Sequence, residues 1–239
     1  MIHPTAIVAD TVTIGAGTTV GPYAIIEGNT VIGARTTIGP HAVIGGAAQH
    51  RNAPIDDGWV VIGDDCVIRE QSTVNRATKP GRENATTLGN NCYLMATAHV
   101  GHDSRVGDDV TLGNQVLLAG HTTIGPGTFF GGGSGIHQHC RCGRLAVIHG
   151  LEGLTQDVPP FAAIKNFRVR GPNVVALRRN GFDADTRQAI ADAYRTLRRV
   201  RVVSKALGEL AQIEIPEVQE IVTFYRESKR GVAPVGNAV

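Results

Sequence analysis

The chain has 239 residues, 42% of them hydrophobic, and a formal net charge of only +2. These figures exclude a disordered, highly charged polymer, and no uninterrupted apolar run is long enough to span a bilayer. The N-terminus lacks a signal-peptide profile, so the expected compartment is the cytoplasm, with no stable membrane insertion.

From the N-terminus onward an apolar residue recurs at every sixth position: Ile2, Val8, Ile14, Val20, Ile26, Ile32, Ile38 and Ile44. The series resumes at Ile62, Ile68 and Val74, then runs in phase from Leu88 through Leu118, Ile136 and Ile148 to Leu154. Two residues before most anchors stands a small side chain, as at Thr18, Ala24, Thr36, Ser72, Ala98 and Thr122. A period of six is neither helical nor that of an alternating strand; it marks hexapeptide repeats. The expected fold is therefore an all-β solenoid, a left-handed parallel β-helix over residues 1–160. Three hexads make one triangular coil, so residues 18 apart should lie about 4.8 Å above one another. Glycine follows many anchors, as in Ile32-Gly33 and Val106-Gly107, and is expected to relieve left-handed turns there. Cys66, Cys92 and Cys140 fall on the small inward position and Cys142 on an anchor, which reads as core rather than as a disulfide or metal pair.

Two stretches break the repeat. Residues 46–61 and 76–87 are expected to leave the prism as loops, and long loops on a rigid solenoid often carry function. After Pro159-Pro160 the hexads stop. Residues 161–239 are expected to form a linker and an α-helical region. One helix is predicted over 183–207, capped by Asp183 or Asp185 and stopped by Gly208, and a second over 216–231. Residues 232–239 are expected to fray. Charge is uneven: residues 165–205 hold eleven Lys/Arg against three Asp/Glu, while 1–164 hold nine against thirteen. That basic segment suits an anionic partner. Nucleic acid is not expected, for want of a binding motif and of aromatics to stack bases.

Six histidines (His99, His102, His121, His137, His139 and His149) lie within about fifty residues. The 18-residue rule stacks Asp103, His121 and His139 in one column. It stacks His102, Gly120 and Gln138 in the next, and Gly101, Ala119 and His137 beside that. One patch thus gathers a His-Asp dipeptide, further imidazoles, an amide and a glycine backbone, the parts of an acid–base site. His102 suits a general base and Asp103 its orienting partner, provided that a turn brings the two side chains together. Gly120 could present an N–H to a developing oxyanion. No Ser or Cys nucleophile stands beside the patch, which favours direct transfer. A zinc site built from His99-x-x-His102 and His137-x-His139 is the rival reading, and the expectation is no metal and no cofactor.

The segments ATAHVGHD (96–103), LAGH (118–121), IHQ (136–138) and QDVPP (156–160) resemble, in that order, the acyl-carrier-protein-dependent UDP-N-acetylglucosamine O-acyltransferases that open lipid A synthesis in Gram-negative bacteria. HPTAIV (3–8), IREQSTVNRAT (68–78), LRRNGF (177–182) and SKRG (228–231) extend the resemblance over nearly the whole chain. The resemblance implies an acyltransferase acting on the sugar 3-position, and a homotrimer with active sites between neighbouring prisms. It implies His102 as base, Asp103 as its orienter and Gly120 as oxyanion donor. His99, His121, His137 and Gln138 would line the cleft. Gln49, Asn173, Arg178 and Arg179 would hold the UDP-sugar, and Gly150 would set the depth of the acyl groove. Acyl carrier protein would dock on the basic helices. His50, Asn52, Asn75 and Asn180 depart from the family pattern, and His139, Arg141 and Arg144 are expected to make the acyl surface more polar. A paralogue acting on another nucleotide sugar or acyl donor, or a non-catalytic binding trimer, remains the alternative.

Overall fold

The computed structural model describes residues 1–51, 57–200 and 202–236. Short strands stack into three parallel sheets, one for each side of a triangular prism. Eight strands, from Ile7–Val8 to Gly153–Leu154, form the first side, and seven, from Thr13–Ile14 to Arg141–Cys142, the second. The third side has nine, because a hairpin of Ala162–Lys165 and Arg168–Pro172 is added to its end. The whole is a left-handed parallel β-helix with helices at its C-terminal end.

The register follows the hexads. Ile7 pairs with Ile25 and Ile25 with Val43, each 18 residues on, and His99, Leu117, Gly135 and Gly153 continue the same column. The apolar anchors from Val20 to Leu154 are buried on the prism axis, and the small residues two before them fill the remaining space. Ile2, Val8 and Ile14, in the first coil, are more open. All four cysteines are free and buried.

The expected reason for the glycines needs correction. Left-handed turns fall three residues after most anchors, largely on ordinary side chains such as Arg35, Asp65 and Asn91. The glycine directly after the anchor is needed for space instead. A Cβ at Gly33 would come within 2.5 Å of the Gly63 carbonyl carbon in the next coil. Stacked backbones at a corner leave no room for it.

The loops are tighter than the repeat gap predicts. The strand Val43–Gly46 extends to the edge of the first loop, and Trp59–Ile62 starts inside the stretch 46–61. Asn52 lies outside the described residues. The second loop holds a 3-10 turn at Arg82–Asn84 and re-enters the sheet at Thr86–Leu88.

Beyond the prism the reading from sequence erred in four places. A short helix, α1 (Val174–Arg179), precedes the expected ones, with Asn173 as its cap. The single helix expected over 183–207 is two: α2 (Ala184–Arg199), capped by Asp183, and α3 (Val203–Leu210), which passes through Gly208. The backbone turns extended at Val200, where the apolar stripe must change direction to pack α3 on α2. The last helix, α4 (Pro216–Glu227), ends four residues early. The segment after it does not fray through 236: Val232 bridges Asp157, Val235 bridges Val169 and Ala233 is buried. Tyr194 on α2 is fully buried and donates its hydroxyl to the Pro160 carbonyl, tying the helices to the end of the prism.

Candidate active site

The 18-residue columns bring the histidines onto one edge. Asp103 takes a left-handed conformation (φ 59°) at a prism corner, which folds its side chain back beside that of its neighbour. His102 Nδ1 and Asp103 Oδ2 are 2.7 Å apart, with His102 only 7% exposed. The second loop completes the carboxylate's surroundings. The Thr78 N–H and hydroxyl donate to its two oxygens at 3.1 and 2.9 Å, and the Asp103 N–H donates to Thr86 Oγ1 at 2.8 Å. Burial by itself would raise the Asp103 carboxyl. The bonds from His102 and Thr78, with the His121 imidazole nearby, outweigh it and hold the group below the usual carboxylate range. An ionised Asp103 can only accept, so His102 donates from Nδ1, and in the neutral ring the lone pair is on Nε2.

That lone pair faces a cleft of about 640 Å³ lined by Gln49, Asn75, His99, His102, Gly120, His137, Gln138 and apolar residues including Leu117 and Leu154. Gly120 lies against the ring: a Cβ there would sit 2.6 Å from His102 Cε1 and 2.7 Å from Nε2. Its N–H is two residues past an anchor, where Pro22, Pro40 and Pro126 stand in other coils. A place that proline fills elsewhere has no ladder bond to make, so this N–H is available to a ligand. His99 Nδ1 bonds Thr73 Oγ1 at 2.7 Å, and burial, then the neighbouring His102, lower its proton affinity. Both causes favour the neutral ring.

His121 stands behind the dyad rather than on the cleft wall. Its Nε2 is 3.5 Å from Asp103 Oδ2, and its ring stacks on His139 with centroids 4.6 Å apart. Burial lowers its proton affinity; Asp103 opposes this, while His139, His102 and His50 add to it. His50 meets the edge of the His102 ring at 5.8 Å. Among the described residues His102, Asp103 and His121 are grouped closely enough to hold a metal ion. A metal there would have to displace the hydrogen bonds that Asp103 already accepts.

The remaining predicted residues lie elsewhere on the same chain. Asn173 and Arg179 line a second cavity of about 890 Å³ with Asn180, Arg144, His149 and Phe182. The Asn173 side chain also caps α1 by accepting from Ala176 N at 3.2 Å, and donates to the Leu145 carbonyl at 2.9 Å. Arg178 is exposed on α1. Gly150 lies against Gly132 of the coil below: a Cβ on Gly150 would meet the Gly132 carbonyl at 3.0 Å.

Arg141 and Arg144, expected to make the acyl surface more polar, are engaged with α4 and do not line the main cleft. Arg141 bonds the Phe224 carbonyl and pairs with Asp157 and Glu227, and Arg144 pairs with Glu220 at 2.9 Å and lies over Phe161 and Phe182. Both clamp α4 onto the prism. Sequence reasoning assigned no role to Thr73, Thr78 and Thr86. Their only signal is a threonine inside or beside the second break in the repeat.

A base with one free lone pair, an unused N–H beside it and no serine or cysteine on the cleft wall suit direct acyl transfer. Hexapeptide-repeat acyltransferases are the class that this prism and its histidines define. Residues 157–233 match the family described as Udp N-acetylglucosamine O-acyltransferase, domain 2, and residues 11–46 and 85–120 match the bacterial transferase hexapeptide (six repeats). An acyl-[acyl-carrier-protein]–UDP-N-acetylglucosamine O-acyltransferase of Burkholderia thailandensis is 40% identical over 197 residues, 79% of this chain and 75% of that one. The UDP-N-acetylglucosamine acyltransferase of Campylobacter jejuni superposes with a TM-score of 0.86 at 28% identity, over 99% of this chain and 100% of that one. That of Bacteroides fragilis gives 0.87 at 30%, over 97% and 99%. The chain belongs to the UDP-N-acetylglucosamine O-acyltransferase family.

Proposed function

We propose that the protein transfers an acyl group, of the 3-hydroxyacyl type, from the thioester of acyl carrier protein to the 3-position of UDP-N-acetylglucosamine, the first step of lipid A biosynthesis. Membership of the family supports the reaction, and the His102–Asp103 pair, with Nε2 open to the cleft beside Gly120, supports the chemistry. His102 Nε2 takes the proton of the sugar 3-hydroxyl as its oxygen attacks the thioester carbonyl carbon. The tetrahedral oxyanion accepts from the Gly120 N–H. Collapse breaks the carbon–sulfur bond, and the departing carrier thiolate takes the proton back from Nε2. Asp103 stays ionised throughout, holds the Nδ1–H tautomer and steadies the transient imidazolium. His99, His137, Gln138 and Gln49 line the substrate cleft in this reading, with the acyl chain running toward Gly150.

The working unit is a homotrimer. The outer face of the eight-stranded sheet carries exposed Ile7 and Leu117, and Leu117 borders the cleft. A neighbouring prism set against that face would cover it, and its Asn173, Arg178 and Arg179 would complete the grip on the nucleotide. Acyl carrier protein, being acidic, docks on the basic surface of α1 and α2.

The test is mass spectrometry of products from UDP-N-acetylglucosamine and a panel of acyl-carrier thioesters. Mono-acylated UDP-sugar is expected, with His102→Ala slower by about 10²–10⁴-fold, the usual contribution of a general base. Near-normal turnover in that variant sinks the assignment. A different acceptor is the second reading, prompted by Asn75. Its Nδ2 is held by the Ala47 carbonyl at 2.9 Å while its buried Oδ1 has no partner among the described residues. Product with a 3-amino sugar nucleotide and none with UDP-N-acetylglucosamine would select that reading.

A further inference from the structure

The segment after α4 reaches back to the cleft. Buried Asp157, 1% exposed, pins that segment from both sides. Ser228 Oγ donates to its Oδ2 at 2.8 Å, its own N–H donates to the Gly231 carbonyl at 2.8 Å, and Ala233 N donates to its carbonyl at 2.8 Å. Between these anchors stands Arg230. Its Nη2 lies 3.2 Å from His137 Nδ1 and 3.5 Å from the Thr155 carbonyl, and both His137 and Thr155 line the cleft.

We infer that Arg230 is a positioning residue that acts through His137. A guanidinium has donors and no acceptor, so His137 Nδ1 must accept from it. The proton of the neutral ring is then on Nε2, and the bond also fixes the ring plane. With Nδ1 occupied, the ring presents a fixed donor for an acceptor oxygen of the substrates, such as a thioester or amide carbonyl or a phosphate. The segment after α4 thereby becomes part of the cleft wall. This inference rests on the acyltransferase reading for its kinetic consequence, but the tautomer does not.

The experiment has two arms on the full-length protein. Nitrogen-15 NMR of labelled histidine, with His137→Gln used to assign the signal, reads the ring directly. Wild type should show an unprotonated, hydrogen-bonded Nδ1 and a protonated Nε2, and Arg230→Ala should lose the hydrogen-bond signature at Nδ1. Steady-state kinetics form the second arm. Arg230→Ala should raise KM about three- to tenfold, the range of one hydrogen bond, with kcat little changed. Arg230→Lys should recover part of the loss, and adding Arg230→Ala to His137→Gln should cost nothing more. An unchanged His137 signal in Arg230→Ala overturns the inference. So do losses that multiply in the double variant, because Arg230 would then act on substrate by itself. An inactive wild type that still shows the NMR change would refute the acyltransferase reading and leave the Arg230–His137 coupling standing. The unfolding midpoint of Arg230→Ala should match wild type, since Asp157 holds the segment without it.

Discussion

At the scale of single residues the site depends on two positions that tolerate almost no change. Gly120 touches the His102 ring, and a Cβ there would fall inside contact distance of Cε1, Nε2 and Nδ1. Gly120→Ala should therefore tilt the imidazole off its line and lower kcat by at least tenfold, with KM for the sugar nucleotide changing less. A variant with wild-type kcat would show that the ring has freedom the packing denies it. In the proposed mechanism Asp103 serves by its charge state and its acceptors rather than by touching substrate. Thr78 contributes two of its bonds, so a loop outside the repeat sets the electrostatics of the base.

At the scale of elements, the prism and the helices treat glycine in opposite ways. Gly33 sits where stacked coils meet, and its missing Cβ would run into Gly63 backbone and the Asp64 carboxylate. Gly33→Ala should cost about 1–3 kcal/mol, the usual range for overpacking. Gly208 lies inside α3 with nothing within 4 Å of its virtual Cβ, so Gly208→Ala should gain about 0.5–1 kcal/mol from lost chain entropy. Thermal unfolding of both variants checks the sign directly. Equal destabilisation would mean that α3 is not helical at that point. The clamps from Arg141 and Arg144 belong to this scale too, because they join α4 to a coil more than 70 residues away in sequence.

At the scale of the whole molecule, the stacked coils set the response to acid. His99 and His121 have proton affinities below that of a free imidazole, chiefly through burial. The unfolded chain takes those protons near pH 6.5 while the native chain refuses them. Stability should be complete above that value and fall as the pH drops toward the lowered native values. Asp103 adds a second loss in the same direction below about pH 3.9, the ordinary aspartate value, as pH falls through its depressed native value. The unfolding midpoint should drop between pH 7.5 and 5.5, and His99→Gln with His121→Gln should flatten that slope. A flat wild-type profile would show that both rings protonate in the native state without cost. No helix among the described residues is long and apolar enough to cross a membrane.

The hexad by itself determined the prism, its register and the stacking of His121 on His139, because each coil repeats the same short-range geometry. Counting by 18 was enough to bring His102, Gly120 and Gln138 together. Where the period breaks, the rule loses its ruler. Thr78 and Thr86 reach Asp103 only because the second loop folds back across the corner. The split between α2 and α3 depends on how the apolar stripes pack, and a helical pattern read alone runs straight through Val200. The partners of Arg141, Arg144 and Arg230 stand on segments distant in sequence, and only tertiary packing sets an arginine against a carboxylate, a ring or a histidine nitrogen. Repetition carries information along the chain, whereas single long-range contacts exist only once the chain has closed on itself.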